Sequence, residues 1–300
     1  MRPGGSPLQL PTQAVRLICL LAAVASSVLI AHADDDISAA DVWRQPDPEN
    51  LLLLELPMGT VIIELAPGFA PEHVANIRTM VREEYFNGLP IVRSQDNYVA
   101  QWGDPAESDD DLRSIGSAAE SLQPEFERDA DGVDLVAIKS RDAYADVVGF
   151  VDGFPVGSNG KTLWMAHCYG VVGVARSTAP DSGNGSSLYV TIGHAPRHLD
   201  RNLSMVGRVI SGIENLSSLP RGTGPLGFYE SPEETTPILR ARVGSDIPQS
   251  ERAQIDIMRT DSDDFSDYVE DRTHRREAFF VNPTGRIEIC NLTPPVKLTL

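Results

Sequence analysis

An arginine and a glutamine eight residues apart are the first candidates for chemistry in this chain. Arg93 and Gln101 lie in the stretch IVRSQDNYVAQWGDP, residues 91–105, among apolar and small residues. A guanidinium presents a fixed fork of hydrogen-bond donors, and an amide side chain both donates and accepts. The stretch has the pattern of two short strands, so the two side chains are either solvated edge residues or members of a common groove. Periodicity alone does not separate these interpretations.

Histidines offer the next candidates, for metal binding or nucleophilic catalysis. His194 and His198 have an HxxxH spacing, but Pro196 between them argues against a continuous helix that presents both to zinc. His167 precedes Cys168, and adjacent residues of a strand point to opposite faces, which makes a Cys–His dyad geometrically poor. We therefore expect no metal ion and no cofactor.

The balance of charge restricts the possible partners. The 300 residues include 25 Lys and Arg and 43 Asp and Glu, for a formal net charge of −18. Such an acidic surface repels phosphate backbones and anionic lipids. We therefore expect no nucleic-acid partner and no role at a membrane surface.

The N-terminal residues have the pattern of a secretory signal peptide. Arg2 and Arg16 provide a positive n-region, residues 17–30 form an apolar run, and residues 31–33 offer an A-x-A cleavage site. The run is too short to span a bilayer, with a membrane anchor as the alternative. We predict a signal peptide over 1–33 and no stable membrane insertion after its removal. The expected destination is the periplasm, or the exterior or endoplasmic reticulum lumen in a eukaryote.

Two cysteines follow the predicted cleavage site. In an oxidising compartment an even pair favours a disulfide between Cys168 and Cys290. Such a bond would close a long loop and stabilise the fold by roughly 4–5 kcal/mol in the chain-entropy account. Two buried free thiols are the alternative.

The hydrophobic pattern predicts a mainly β domain with additions. A flexible, polar lead-in over 34–50 precedes a hairpin over 51–65. A helix follows that begins at Pro71, with a buried face predicted from the three- and four-residue spacing of Val74, Ile77, Met80 and Val81. Short strands with two helices and glycine-rich turns favour a closed antiparallel barrel over 51–244. A long acidic insertion at about 106–160 reads as mostly irregular, and the extension over 245–300 contains one predicted helix within 261–280. The acidic run 109–111 could bind calcium weakly, although a solvated loop is the simpler interpretation.

An ordered set of motifs resembles the cyclophilin family of peptidyl-prolyl isomerases. The stretch IVRSQDNYVAQWGDP resembles the family's Phe-His-Arg, a turn, and then Phe-Met-x-Gln-Gly-Gly-Asp. In chain order, TVIIELAPGFAPEHVANI, YFNGLPIVR, QPEF, VGVARS, GSSLYVTIG and HLDRNLSMVGRVISGIENLSSL also match family segments. The resemblance covers about 51–244 and implies an eight-stranded closed barrel capped by two helices.

The resemblance also implies roles for individual residues. Arg93 matches the family's catalytic arginine, and Gln101 matches its substrate-binding glutamine. The implied substrate-binding residues are Tyr98, Val99, Ala175, Arg176, Ser187, Tyr189, His198, Leu199 and Leu203. Many of these depart from the family: Tyr98 stands for Phe, Val99 for Met, Arg176 for Asn, Ser187 for Gln, Tyr189 for Phe, His198 for Trp and Leu203 for His. In addition, Val92 replaces the histidine before the arginine. The departures imply a pocket of altered shape and edge polarity.

The implied function is cis–trans isomerisation of X–Pro bonds, without a cofactor, in support of the folding of exported proteins. Proline-containing polypeptides would be the substrates of a monomeric enzyme. The alternative is a peptide-binding module or chaperone of the same fold with little or no isomerase activity.

Overall fold

The computed structural model describes residues 39–106 and 108–299. The predicted signal peptide over 1–33 lies outside these described residues. Within them, no helix is long and apolar enough to cross a bilayer.

Helices and strands are numbered in chain order. The α-helices are α1 (Ala39–Val42), α2 (Pro71–Arg82), α3 (Glu214–Ser217) and α4 (Asp263–His274). The strands are β1 (Trp43–Arg44), β2 (Leu51–Leu56), β3 (Gly59–Leu65), β4 (Pro90–Ser94), β5 (Val99–Trp102), β6 (Arg128–Asp129), β7 (Val136–Ala137), β8 (Val147–Val151), β9 (Phe154–Ser158), β10 (Thr162–Met165), β11 (Val171–Val174), β12 (Leu188–Thr191), β13 (Met205–Ser211), β14 (Thr236–Pro237), β15 (Arg240–Val243), β16 (Gln254–Met258) and β17 (Val296–Thr299).

The main sheet confirms the mainly β class. It has nine strands in the order β14-β4-β5-β12-β11-β13-β3-β2-β15, one more than the resemblance implied. All of its pairings are antiparallel. The first and last strands of this order are neighbours in sequence, and between them Ile238 N–H donates to the Leu89 carbonyl and Leu239 N–H to the Glu55 carbonyl. One continuous segment therefore binds to both ends of the sheet.

Helix α2 packs its predicted apolar face on this sheet. Pro71 occupies the first turn, where its missing N–H costs no hydrogen bond. Val74, Ile77, Met80 and Val81 are all buried in the core cluster that the main sheet encloses. The second predicted helix is short: α3 is a single helical turn.

The insertion over 106–160 is more regular than its sequence suggested. Strands β8 and β9 form a hairpin within a five-stranded sheet of order β6-β10-β9-β8-β7. The turn is Asp152-Gly153, and both residues have positive φ, at 51° and 86°. Asp-Gly between two apolar runs is a strong signal for such a turn. The net acidity of the surrounding insertion obscured it.

The lead-in and the C-terminal extension are joined by a third sheet, of order β1-β16-β17. Residues 43 and 44 of the lead-in, which was predicted to be flexible, pair with β16. In the extension, Ser262 caps α4 by accepting the Phe265 N–H at 3.1 Å. Phe265 is buried and lies edge-on to Phe150 of the insertion, with ring centroids 5.1 Å apart.

The predicted disulfide between Cys168 and Cys290 is present, with Cα atoms 4.8 Å apart. It connects the chain just before β11 to the extension. The extension, the insertion and one face of the central strands of the main sheet share a second apolar cluster, which includes Phe265, Phe150 and Tyr189. The disulfide and this cluster together fix the extension to the barrel domain.

Candidate active site

The β4–β5 hairpin places Arg93 directly opposite Gln101. The two residues are register partners, and cross-strand partners project from the same face of a sheet. Gln101 is in turn the partner of Tyr189 on β12, and Val99 lies two residues from Gln101 along β5. By the same alternation Ser187, next to β12, shares this side. The site face is defined here as Arg93, Val99, Gln101, Ser187 and Tyr189.

Neutral oxygens and aromatic rings hold the Arg93 guanidinium. Its Nε donates to the Leu226 carbonyl at 2.7 Å, one Nη donates to the Gln95 amide oxygen, and the other donates to Gln101 Oε1 at 3.3 Å. Its Cζ lies 5.1 Å from the Phe228 ring centroid and 5.6 Å from that of Tyr98. Burial lowers the pKa of Arg93 from its usual value. An arginine nevertheless stays protonated near neutral pH, so the site contains a partly dehydrated cation.

Gln101 is oriented by hydrogen bonds at both ends of its amide. Its oxygen accepts from Arg93, and its Nε2 donates to Ser187 Oγ at 3.2 Å. The serine hydroxyl donates in turn to the Trp102 carbonyl at 3.3 Å. The amide group therefore has one fixed orientation next to the guanidinium.

Beside these polar groups lies an apolar floor. Val99 and Tyr189 are 3% and 5% exposed and belong to the second apolar cluster together with Met205. Three further predicted pocket residues, Tyr98, Ala175 and Leu203, pack against this cluster while remaining partly exposed.

The remaining predicted residues are less closely joined to this group. Arg176 donates to the carbonyls of Asn202, Ser177 and Thr178 and lies over the Phe126 ring, so it holds loops of its own chain. His198 is exposed and Leu199 half-buried, in a 3-10 turn over Arg197–Leu199. Among the described residues, neither Arg176 nor His198 has a hydrogen bond to Arg93 or Gln101.

A segment that the sequence analysis did not connect with the site lies beside Arg93. Residues 225–228 supply the carbonyl that Arg93 binds and the Phe228 ring that covers it, and Arg93 and Phe228 form an isolated β-bridge. Leu226 is 67% exposed and Phe228 38% exposed. No local sequence signal connects this segment with an arginine more than 130 residues away.

A buried polar chain beneath the floor is a second feature that the sequence did not reveal. The Tyr189 hydroxyl lies 2.9 Å from His167 Nε2, and His167 Nδ1 lies 2.9 Å from Asp200 Oδ1. The other carboxylate oxygen of Asp200 accepts from Arg197 Nε at 2.6 Å and from Trp164 Nε1 at 3.2 Å. His167 had been considered only as a partner of Cys168, but its imidazole instead links Tyr189 to Asp200.

The protonation states of Asp200 and Tyr189 determine which group donates in each of these buried hydrogen bonds. Burial would raise the pKa of Asp200, but hydrogen bonds from His167 and the charge of Arg197 outweigh it and lower that pKa. Burial raises the pKa of Tyr189 well above its usual value. An ionised Asp200 accepts a hydrogen bond from Nδ1–H, so that Nε2 serves as the acceptor for the Tyr189 phenol. The hydroxyl is thereby satisfied inside the protein.

The described residues contain no group of three or more His, Cys, Asp or Glu side chains arranged to hold a metal ion.

Comparisons with known proteins agree with this geometry. A family model described as "Cyclophilin type peptidyl-prolyl cis-trans isomerase/CLD" matches residues 51–243. The chain is 28% identical over 229 residues to a Brucella suis protein named "Probable peptidyl-prolyl cis-trans isomerase", which covers 75% of this chain and 96% of that protein. It is 27% identical over 193 residues to "Peptidyl-prolyl cis-trans isomerase-like 1" of Gibberella zeae, over 64% of this chain and 93% of that protein.

A solved structure is similar over almost the whole chain. It is that of cyclophilin AquaCyp293 from Hirschia baltica, with a TM-score of 0.69 and 29% sequence identity. The likeness covers 90% of this chain and 98% of that one, so it extends beyond the barrel domain. Because the family match spans well over half of the sequence and includes the whole site face, the chain belongs to the cyclophilin family of peptidyl-prolyl cis-trans isomerases.

Proposed function

We propose that this chain isomerises X–Pro bonds of exported polypeptides, with Arg93 as the group that stabilises the twisted amide. The observation that most directly supports this proposal is the placement of Arg93 against Gln101 on the same sheet face as the apolar residues Val99 and Tyr189. A cation, an oriented amide and an apolar floor are the groups that such a reaction requires.

The chemistry demands no nucleophile. Rotation about a peptide bond costs about 18–20 kcal/mol because amide resonance is lost. At X–Pro the cis and trans ends differ by only about 0.5–1 kcal/mol, so the obstacle is kinetic. In the twisted state the proline nitrogen recovers its lone pair and becomes a hydrogen-bond acceptor. A donor that binds this nitrogen more strongly than it binds the planar amide lowers the barrier.

Arg93 has the properties of such a donor. Its partners among the described residues are neutral, so none of them neutralises its charge, and burial has removed part of its water. Its contact with Gln101 is 3.3 Å, near the long end for an N–H···O bond, and can be exchanged for a substrate atom. Gln101, held by Ser187, would then bind the substrate backbone.

The floor would hold the proline ring. Val99 is smaller than the methionine of the family pattern, which leaves more room, and Tyr189 adds a hydroxyl where the family has phenylalanine. Because His167 accepts that hydroxyl, the pocket gains no unpaired polar group and stays apolar toward the substrate.

Export and a monomeric state are further parts of the proposal. The N-terminal charge and hydropathy pattern and the single disulfide both favour an oxidising compartment. Expression of the full chain in the source organism, followed by fractionation and N-terminal sequencing, tests this. Recovery of an uncleaved protein in the cytoplasm would contradict export.

The activity is tested with a protease-coupled cis-to-trans assay on a proline tetrapeptide. We expect the wild type to accelerate the reaction, Arg93→Ala to lose most of the acceleration, and Arg240→Ala to keep it. Arg240 is a suitable control because its exposed guanidinium on β15 lies outside the site face. If the wild type leaves the rate at the uncatalysed value, the isomerase proposal fails and a binding module is favoured.

A further inference from the structure

A second feature with the properties of a binding site lies between the insertion and the C-terminal extension. It is a cavity of about 1070 Å³, and five of its lining residues are basic. These are Lys139, Arg141, Arg272, Arg275 and Arg286, and we call the feature the basic cavity. Such a concentration of positive charge is unusual in a chain with 43 acidic and 25 basic residues.

Among the described residues, the cations of the basic cavity have no carboxylate partner, although Arg272 lies over the Tyr268 ring and Arg275 over the Phe280 ring. Arginines elsewhere, for example Arg82 and Arg242, form ion pairs with carboxylates at 2.6–2.7 Å. Among the described residues, five arginines have guanidinium groups without a hydrogen bond or an ion pair, and four of the five line this cavity. The five are Arg141, Arg240, Arg272, Arg275 and Arg286.

The carboxylate that lines the cavity already has other partners. Glu288 is the acidic residue that lines the cavity, but its Oε2 accepts the Cys290 N–H at 2.9 Å and its Oε1 lies 3.8 Å from Arg197. Like charges that share a concave surface repel one another, and an anionic ligand would remove that repulsion.

Helix α4 explains only part of the arrangement. Its C-terminal carbonyls favour the cations Arg272 and Arg275, because the helix dipole is negative at that end. Lys139 and Arg141 come from the insertion and Arg286 from the chain after the helix, so the dipole does not account for them.

The lining between the cations is partly apolar and partly polar, with Ser140, Asn282, Thr284 and Asn291 as its uncharged polar residues. Ile138, Phe280, Pro283 and Ile287 line the same cavity as the five basic side chains. An inorganic anion has no use for apolar walls, whereas a stretch of polypeptide buries side-chain carbons and presents carboxylates at intervals. The acidic remainder of the surface would repel an anionic bilayer. The planar guanidinium group of an arginine can donate two parallel hydrogen bonds to a carboxylate.

We propose that the basic cavity binds an acidic segment of a polypeptide, independently of the site face. This inference does not rest on the isomerase proposal, because the cavity is built from 138–141 and 272–291 and needs neither Arg93 nor a proline in the ligand.

The test is a fluorescence-anisotropy titration with a short, labelled, proline-free peptide of alternating glutamate and glycine. We expect saturable binding that weakens as ionic strength rises. The double variant Arg141→Ala/Arg286→Ala should bind about tenfold more weakly, because each exposed charge pair contributes a few-fold. Arg240→Ala, the unpartnered arginine outside the cavity, should bind as the wild type does, and so should Arg93→Ala.

Three results would overturn the inference. One is the absence of saturable binding to the wild type, and another is equal affinity in the wild type and the double variant. The third is equally tight binding of a glutamine-for-glutamate control peptide. Binding of inorganic phosphate or of phosphatidylglycerol vesicles without binding of the glutamate peptide is one form of the first result and overturns the inference as well. Loss of isomerase activity in Arg93→Ala with unchanged peptide binding keeps the two proposals distinguishable.

Discussion

Replacement of Tyr189 by phenylalanine would remove one oxygen from the floor of the site and restore the residue type of the family pattern. Considered alone, the change looks harmless, because the ring stays and the pocket stays apolar. The structure predicts otherwise. The hydroxyl is 2.9 Å from His167 Nε2, and His167 is 0% exposed, so its acceptor nitrogen would lose its partner with no water to replace it.

The magnitude follows from the cost of an unsatisfied buried group. A buried acceptor left without a donor costs about 1–3 kcal/mol. We therefore expect Tyr189→Phe to lower the free energy of unfolding by that amount, and the melting temperature to fall by roughly 2–4 °C per kcal/mol. The hydrogen-bonded groups beyond His167, which are Asp200 and Arg197, are also buried and cannot rearrange freely to supply a new partner.

Urea unfolding with the disulfide intact measures this change, with Tyr98→Phe as the matched control. Tyr98 lies on the same side of the site, but its hydroxyl has no hydrogen bond among the described residues, so its loss should be nearly neutral. A Tyr189→Phe protein as stable as the wild type, or more stable, would refute the assignment of the phenol as donor to His167.

Two further outcomes concern stability. The double variant Cys168→Ser/Cys290→Ser opens a loop with a sequence separation of 122 and should lose about 4–5 kcal/mol on urea unfolding in the chain-entropy account; an unchanged midpoint would contradict the role of the bond. Hydrogen bonds from Arg82 and then Ser245 lower the pKa of Glu49 from 4.5 to about 2, so its contribution is complete above pH 4.5 and fades as pH falls toward 2. Because the side chains of Glu49 and Arg82 are both more than a third exposed, their pairing stabilises the folded state by about 0.2–1 kcal/mol. The free energies of unfolding of Glu49→Gln and of the wild type should therefore approach each other as the pH falls toward 2. A difference between them that does not change with pH would argue against the Glu49–Arg82 pairing.

Much of the fold could be predicted because local patterns determine it. Two apolar runs on either side of a short turn predict the β2–β3 hairpin, whereas the placement of Arg93 and Gln101 in one site followed from the family resemblance and not from periodicity. Helix α2 follows from its apolar repeat and from Pro71 at its start. With two cysteines after the predicted cleavage site, the disulfide had one possible pairing within the chain.

The features that escaped prediction depend on contacts between distant segments. His167 and Asp200 are 33 residues apart, and their pairing arises only when β11 and the turn before β13 are brought together. The sheet of the insertion needs β10 as a template, and the lead-in needs β16. The segment at 225–228 reaches Arg93 only because Tyr229 N–H binds the Val92 carbonyl on β4. Apart from the β9–β10 pairing, which is local, no short window of sequence contains both halves of these contacts.

The central claim is that the Arg93 guanidinium stabilises the twisted amide rather than merely binding the substrate. Exchange NMR on a proline peptide at equilibrium tests it most directly, because it measures peptide affinity and catalysed interconversion in one sample. A charge-assisted hydrogen bond worth about 1.5–3 kcal/mol in the transition state predicts that Arg93→Ala interconverts bound peptide about 10- to 150-fold more slowly. We expect its affinity for the peptide to change much less. Equal interconversion rates in the two proteins, or a loss confined to affinity, would contradict the account.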